Sequence, residues 1–214
     1  MLTRLAVISS VVVFAGCAGH CPRPPMDHGP AKPVDMSFFV TSVNPGKGGN
    51  LGGLTGADAY CSVLAESVGV KGKTWRAYLS TTKENARDRI GQGPWKNAKG
   101  VVVATSVDDL HSANNKLTKE NALSEKGMVI NGRGDEHNRH DVMTGSNANG
   151  TLEGNACNDW TSQTEGSAMV GHHDRTGGGA APTSWNAAHP SKSCSTADLR
   201  ATGGDGLFYC FAAN

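Results

Sequence analysis

Hydrophobic residues fall into one long run near the N-terminus and a series of short runs after it, separated by glycine-rich and polar stretches. After Arg4, residues 5–16 are mostly apolar. Such a run is too short to cross a bilayer as a helix, which takes about 20 apolar residues. A charged start, a short apolar stretch and small residues before a cleavage point have the form of a secretory signal. Residues 17–35 carry Pro22, Pro24, Pro25, Pro30 and Pro33 without apolar periodicity, which predicts an extended linker. Residues 36–43 have strand composition. Ala57, Cys61, Leu64 and Val68 then recur at helical spacing, with Thr55 in the position of an N-cap, Asp58 three residues on and Gly69 as a stop. Residues 74–80 alternate, Trp75, Ala77 and Leu79 against Arg76 and Tyr78, and read as a strand. A short helix is expected over 84–90, with Trp95 covering a core edge. Strands are expected over 101–104, 128–130 and 141–143. Residues 144–185 are rich in Gly, Asn, Ser and Thr and read as a long loop region, before a clear final strand over 207–212.

Composition narrows the class. Removal of the signal (residues 1–16) leaves a linker over 17–35 and a chain the size of one domain, residues 36–214, able to bury a core. The formal charge of +1 gives no field to favour nucleic acid. With 28 glycines, a turn-rich domain is expected instead of a helical bundle. The six cysteines, at 17, 21, 61, 157, 194 and 210, show no Cys-x-x-Cys spacing. Export permits disulfides, and the four in the globular part allow three pairings.

Two resemblances sharpen this picture. Phe14-Ala15-Gly16-Cys17 resembles the bacterial lipobox, with Phe in place of the commoner Leu. It implies cleavage after residue 16, acylation of Cys17 and a membrane-anchored lipoprotein of the cell envelope; Ala18 points to the outer membrane or surface. Further on, the run from Gly52 through Leu54-Thr55-Gly56-Ala57-Asp58-Ala59-Tyr60-Cys61 resembles the first helix of endostatin, the C-terminal domain of collagens XV and XVIII. Thr74-Trp75-Arg76-Ala77-Tyr78-Leu79-Ser80 is similar to its next strand. Thr144-Gly145-Ser146, Asn149-Gly150, Cys157, Trp160-Thr161, Cys194 and Phe208-Tyr209-Cys210 follow in matching order. The resemblance implies a C-type lectin-like α+β fold, with two helices, small antiparallel sheets, a long loop region and nested disulfides Cys61–Cys210 and Cys157–Cys194.

That fold implies a surface-tethered binding module for carbohydrate or another envelope or extracellular polymer, and not an enzyme. The alternative is a structural or protein-interaction lipoprotein without a small ligand. Asn158, Asp159, Trp160 and Trp185 are the candidate ligand-binding residues: the tryptophans offer stacking faces, and Asn158 and Asp159 offer oxygens. Glu153, Asp159 and Asp174 are a candidate Ca²⁺ set, since that cation takes six to eight oxygens. The Glu-Pro-Asn, Gln-Pro-Asp and Trp-Asn-Asp motifs of sugar-binding C-type lectins do not occur. The bland reading of Cys157-Asn158-Asp159-Trp160 is a turn beside a disulfide, with Trp160 as core. Histidines 137, 140, 172, 173 and 189, with Asp141 and Asp174, admit a zinc reading and a metal-dependent hydrolase. Because neighbours on a strand face opposite ways, hydrogen-bonded support of a loop core is the preferred reading. The N-terminal histidines of endostatin's zinc site have no counterpart in residues 36–43. Of its heparin-binding arginines, only Arg76 has a match. Arg133-Gly134-Asp135 is a chance-level integrin tripeptide, and Gly-x-Ser-x-Gly is absent.

Overall fold

The computed structural model describes residues 35–214. The expected signal peptide (residues 1–16), Cys17, Cys21 and all of the expected linker but Asp35 lie outside the described residues. The order of elements is β1 (Phe38–Val40), α1 (Gly53–Ser67), β2 (Trp75–Ala77), α2 (Ala86–Arg89), β3 (Trp95–Lys96), β4 (Val102–Ala104), α3 (Val107–Leu110), β5 (Asp141–Met143), α4 (Ala156–Trp160), β6 (Met169–His172), β7 (His189–Pro190), α5 (Thr196–Ala201) and β8 (Gly204–Ala212).

The final strand organises the domain. β8 pairs antiparallel with β1 and β2 and parallel with β5, and the sheet continues through β6 to β7. Strand side chains alternate between faces, and both faces of this sheet are covered. Phe208, Cys210 and Ala212 join one apolar cluster with Phe39, Trp75, Met143 and the α1 residues Ala57, Cys61 and Ala65. Leu207, Tyr209 and Phe211 join another with Phe38, Val40, Tyr78, Trp95, Val142 and Trp185. A strand buried on both faces has no polar alternation to show, which is why residues 207–212 read as an unbroken apolar run.

The fold is α+β, and both disulfides take the expected partners. Cys61–Cys210 ties α1 to β8, and Cys157–Cys194 ties α4 to the segment before α5. Closing loops this long stabilises by roughly 3–5 kcal/mol each in the chain-entropy model. The pair also fits an oxidising, exported setting. Among the described residues no helix is long and apolar enough to cross a membrane.

Several local expectations need correction. Among the described residues five helical segments form instead of two, although only α1 exceeds six residues. The main sheet is mixed, because β5 runs parallel to β8. Residues 144–185 contain α4 and β6 and are not wholly irregular. Residues 128–130 form no strand: Met128 and Val129 are 65% and 46% exposed, and only an isolated bridge joins Leu123 to Val129. Trp95 lies within β3, fully inside. The α1 N-cap is Gly52, at φ 76°, with no side-chain cap. Thr55 therefore falls inside the helix, and Asp58 has another task. Its carboxylate accepts from Ala77 N (2.8 Å), from Arg76 Nη1 (2.7 Å), and from Nη1 and Nη2 of Arg89 (2.9 Å each). Arg89 is thereby held inside with 3% of its side chain exposed.

Helical turn α4 has the opposite hand from the rest. Ala156, Cys157, Asn158, Asp159 and Trp160 all have φ between 47° and 64°. Each non-glycine residue in this conformation costs roughly 1–2 kcal/mol, so the turn persists only because its surroundings hold it. The Cys157–Cys194 bridge is one anchor. Asp159 accepts from Thr82 N (2.9 Å) and Oγ1 (2.6 Å), and Trp160 Nε1 donates to Ser80 O (2.9 Å).

Candidate metal centre

The sheet brings the histidines together. Antiparallel pairing of β5 with β6 sets Asp141 opposite His172, and β6 with β7 sets Val170 opposite His189. His140 directly precedes β5. Asp141 Oδ1 lies 3.1 Å from His140 Nε2, 3.3 Å from His172 Nε2 and 3.5 Å from His189 Nε2. Asp141 and His172 are buried; His189 is the outermost, with 22% of its side chain exposed.

These distances are short, yet they are not hydrogen bonds. Both carboxylate oxygens of Asp141 and Nε2 of His172 are buried without a hydrogen-bond partner. The reason lies on the far side of each ring. His172 Nδ1 sits 2.8 Å from Pro182 O, and His189 Nδ1 sits 3.0 Å from Pro190 O. A carbonyl only accepts, so Nδ1 carries a proton in both rings, and in the neutral form Nε2 is left with a lone pair. His140 Nδ1 faces Asp174 Oδ1 at 3.4 Å, again an acceptor. Three imidazole Nε2 atoms thus converge on one carboxylate oxygen, where each ring must either carry a second proton or turn its lone pair inward. Where a ring is neutral, acceptor faces acceptor and repels, and a buried unsatisfied polar group costs about 1–3 kcal/mol. A cation between them removes that conflict.

The dimensions suit a particular cation. Zn²⁺ binds imidazole nitrogen at 2.0–2.1 Å in tetrahedral geometry, which puts neighbouring ligand atoms about 3.3 Å apart. The three separations from Asp141 Oδ1, 3.1, 3.3 and 3.5 Å, bracket that value. The outer contacts of His172 and His189 also have the form usual around a ligating histidine, whose other nitrogen donates to a carbonyl or carboxylate. Among the described residues, His140, Asp141 and His172 are the one group of three or more such side chains whose ligand atoms lie within 4.8 Å of one another.

Protons and a metal ion compete here. Burial works against a charged His140, but the Asp141 and Asp174 carboxylates outweigh it and raise its pKa to about 9. His189 is raised as well, chiefly by Asp141. Burial pushes Asp141 and Asp174 upward, but the histidines beside Asp141, and His140 with the Arg133 and Thr176 amides around Asp174, hold both well below the usual carboxylate range. His173 stands apart. It points the other way along the strand, with Nε2 3.2 Å from Asn131 O, and burial lowers its pKa to about 4.

Glycines let the chain lie against the rings. A Cβ on Gly177 (φ +123°) would come within 2.7 Å of His140 Cε1 and 3.0 Å of His172 Cε1; one on Gly203 would come within 3.0 Å of His140 Nε2.

The other candidate residues are not gathered into one site. Trp160 and Trp185 are 0% and 3% exposed and offer no stacking face; Trp185 packs against Tyr78 and Tyr209. This corrects the ligand role expected of both. Asn158 is exposed and donates to Thr161 Oγ1 at 3.0 Å, closing its own turn. Asp159 spends both oxygens on Thr82. Glu153 and Asp159 do not join Asp174 in any ligand group among the described residues, so the Ca²⁺ set is not assembled. Asp174 instead accepts from Arg133 N (2.7 Å) and Thr176 N (3.0 Å) beside His140. Arg76 is paired with Asp58.

Comparison with curated proteins finds no match. A family of proteins of unknown function, DUF1554, matches residues 44–177. That span is more than half of the chain; it holds His140, Asp141 and His172 and stops short of His189 and β8. With α1, β2, β5, α4 and β6 all inside the match, the chain belongs to the DUF1554 family.

Proposed function

We propose that the domain is a metal-binding module of an exported lipoprotein, holding one divalent transition-metal ion, Zn²⁺ foremost, through His140, Asp141 and His172, with His189 as the outer ligand. One observation carries the reading: three histidine Nε2 atoms, with their Nδ1 atoms turned to acceptors, converge on a buried carboxylate that has no hydrogen-bond partner. Imidazole and carboxylate together suit zinc better than Ca²⁺, which takes oxygen ligands. The binding role implied by the lectin-like resemblance is kept, but its seat moves from the 144–185 aromatics to the sheet end where β5, β6 and β7 meet. Acylation at Cys17 would tether this module to the envelope.

The test is metal stoichiometry. Protein stripped with a chelator is dialysed against Zn²⁺ and assayed by atomic absorption. One tightly held ion per chain is expected in the parent and in His173→Gln, whose ring faces away. Asp141→Asn and His172→Gln should lose it while keeping the parent near-UV circular dichroism. A folded parent that retains no zinc, or an Asp141→Asn variant that binds as the parent does, overturns the reading.

A further inference from the structure

The metal centre is not sealed. A pocket of about 460 Å³ opens over it, lined by His140, His189, Arg133, Asn138, Thr202 and the Gly178–Gly179 backbone. That size lies within the range of small-ligand pockets. Two of the candidate metal ligands therefore form its floor, while Asp141 and His172 lie beneath, out of its reach.

The lining has a consistent chemistry. No carboxylate lines the pocket. Arg133 is exposed at the rim, and its guanidinium forms no ion pair among the described residues. Its position is set from below: Asp174 Oδ2 accepts the Arg133 backbone N–H at 2.7 Å, and Asp174 Oδ1 faces His140 at 3.4 Å. The carboxylate beside a candidate metal ligand thus also holds the arginine's backbone. Asn138 accepts from His140 N through Oδ1 (3.2 Å), which leaves its amide nitrogen as a donor. His140 is itself buried, and its Nδ1 lacks a hydrogen-bond partner.

Resting on the metal reading above, we infer that this pocket binds a small carboxylate-bearing ligand, one oxygen coordinating the metal and the other paired with Arg133. The carboxylate of Asp141 and that of Asp174 offset the two charges of the ion. Arg133 then leaves the pocket one positive charge in excess, and a carboxylate completes the balance. Guanidinium presents paired N–H donors that match a carboxylate. His140, Asp141 and His172 make three protein ligands, and the fourth tetrahedral position, held by His189 when the pocket is empty, passes to the carboxylate oxygen when the ligand enters. In this arrangement His189 sits at the boundary between centre and pocket, as its partial exposure indicates.

Co²⁺ serves as the probe, because its visible spectrum reports changes in its ligands. The parent protein loaded with Co²⁺ is titrated in turn with acetate, glucuronate and glucose. Acetate and glucuronate should each shift the absorption bands, and glucose should not. Equal affinities identify a bare carboxylate as the ligand; tighter glucuronate identifies a sugar acid that fills the pocket. Arg133→Met should bind Co²⁺ one-to-one as before and lose acetate affinity by about tenfold or more, the usual value of a charge-assisted contact. A Co²⁺ spectrum indifferent to both carboxylates, or a response to glucose equal to that of glucuronate, overturns the inference and leaves the metal centre standing. Unchanged acetate affinity in Arg133→Met also overturns it. Failure to bind Co²⁺ at all sinks the metal reading instead.

Discussion

Adding Zn²⁺ should stabilise the protein, and the effect of pH on that gain should oppose the effect of pH on the metal-free protein. In the metal-free cluster His140 carries a proton at neutral pH, because its pKa is raised to about 9. An unfolded histidine titrates near 6.5. A folded value above the unfolded one contributes stability that is fully present below about pH 6.5 and is lost as pH rises through 9. A difference of about 2.5 units on this buried ring corresponds to roughly 3 kcal/mol. The metal needs the deprotonated ring. Below pH 9 each bound ion therefore displaces this proton, and apparent affinity should rise about tenfold per pH unit as pH climbs from 6.5 to 9. At a hundredfold excess over Kd the ion contributes about 2.7 kcal/mol. For a protein of this size that is a Tm increase of roughly 5–11 °C. Differential scanning calorimetry with EDTA and with Zn²⁺, at pH 6.5, 7.5 and 8.5, measures both slopes. The metal-free Tm should carry a falling contribution and the zinc increment should grow. An increment that is flat with pH, or one that survives Asp141→Asn, would refute the reasoning.

Three further outcomes test other parts of the structure. Asp58→Ala leaves Arg89 buried without its bidentate partner, so urea unfolding should show a loss of about 3–5 kcal/mol; the double variant with Arg89→Met should lose less than the sum of the single changes. At Asn158, exposed at φ 54° in the left-handed turn, glycine should be more stable than alanine by about 1–2 kcal/mol. A right-handed helix gives the reverse order by about 1 kcal/mol, so thermal melts of the two variants read the hand of the turn directly. Gly177→Ala should weaken Zn²⁺ binding at least tenfold through the His140 and His172 contacts, while Gly178→Ala, whose added Cβ would meet nothing within 4 Å, should bind as the parent does; equal affinities in a competitive chelator titration would show that the glycine does not shape the site.

How far the sequence reached depends on the distance over which each feature is decided. The buried face of α1 was legible because Ala57, Cys61 and Leu64 repeat within one element. The last strand was legible because both its faces are apolar. Asp58 was misassigned because helix capping is a local pattern, whereas its real partners, Arg76 and Arg89, arrive through β2 and α2. Trp160 and Trp185 looked like binding aromatics because a polar, glycine-rich neighbourhood reads as surface. Packing across the sheet buries both, and the left-handed turn that carries Trp160 has no signature in Ala156-Cys157-Asn158-Asp159-Trp160.

The metal centre failed to stand out for a more specific reason, and the same reason supplies the signal that would have found it. Alternation along a strand separates neighbours, so His172 and His173 cannot share a site. That argument is right at the end of β6, where His173, the next residue, turns to Asn131. It says nothing about residues on different strands. Asp141 opens a short apolar run, Asp141-Val142-Met143, and His172 closes another, Met169-Val170-Gly171-His172. If two such runs pair antiparallel, the first residue of one faces the last residue of the other, and the carboxylate meets the imidazole. The observed register does this, with Asp141 opposite His172 and Met143 opposite Val170. Gly177, five residues after His172, supplies the missing Cβ that lets the chain fold back over both rings. A carboxylate at the start of one apolar run, a histidine at the end of the next and a glycine cluster just beyond form a pattern that depends on pairing, not on spacing. The chemistry was therefore present in the residue types, and only the long-range register turned them into a site.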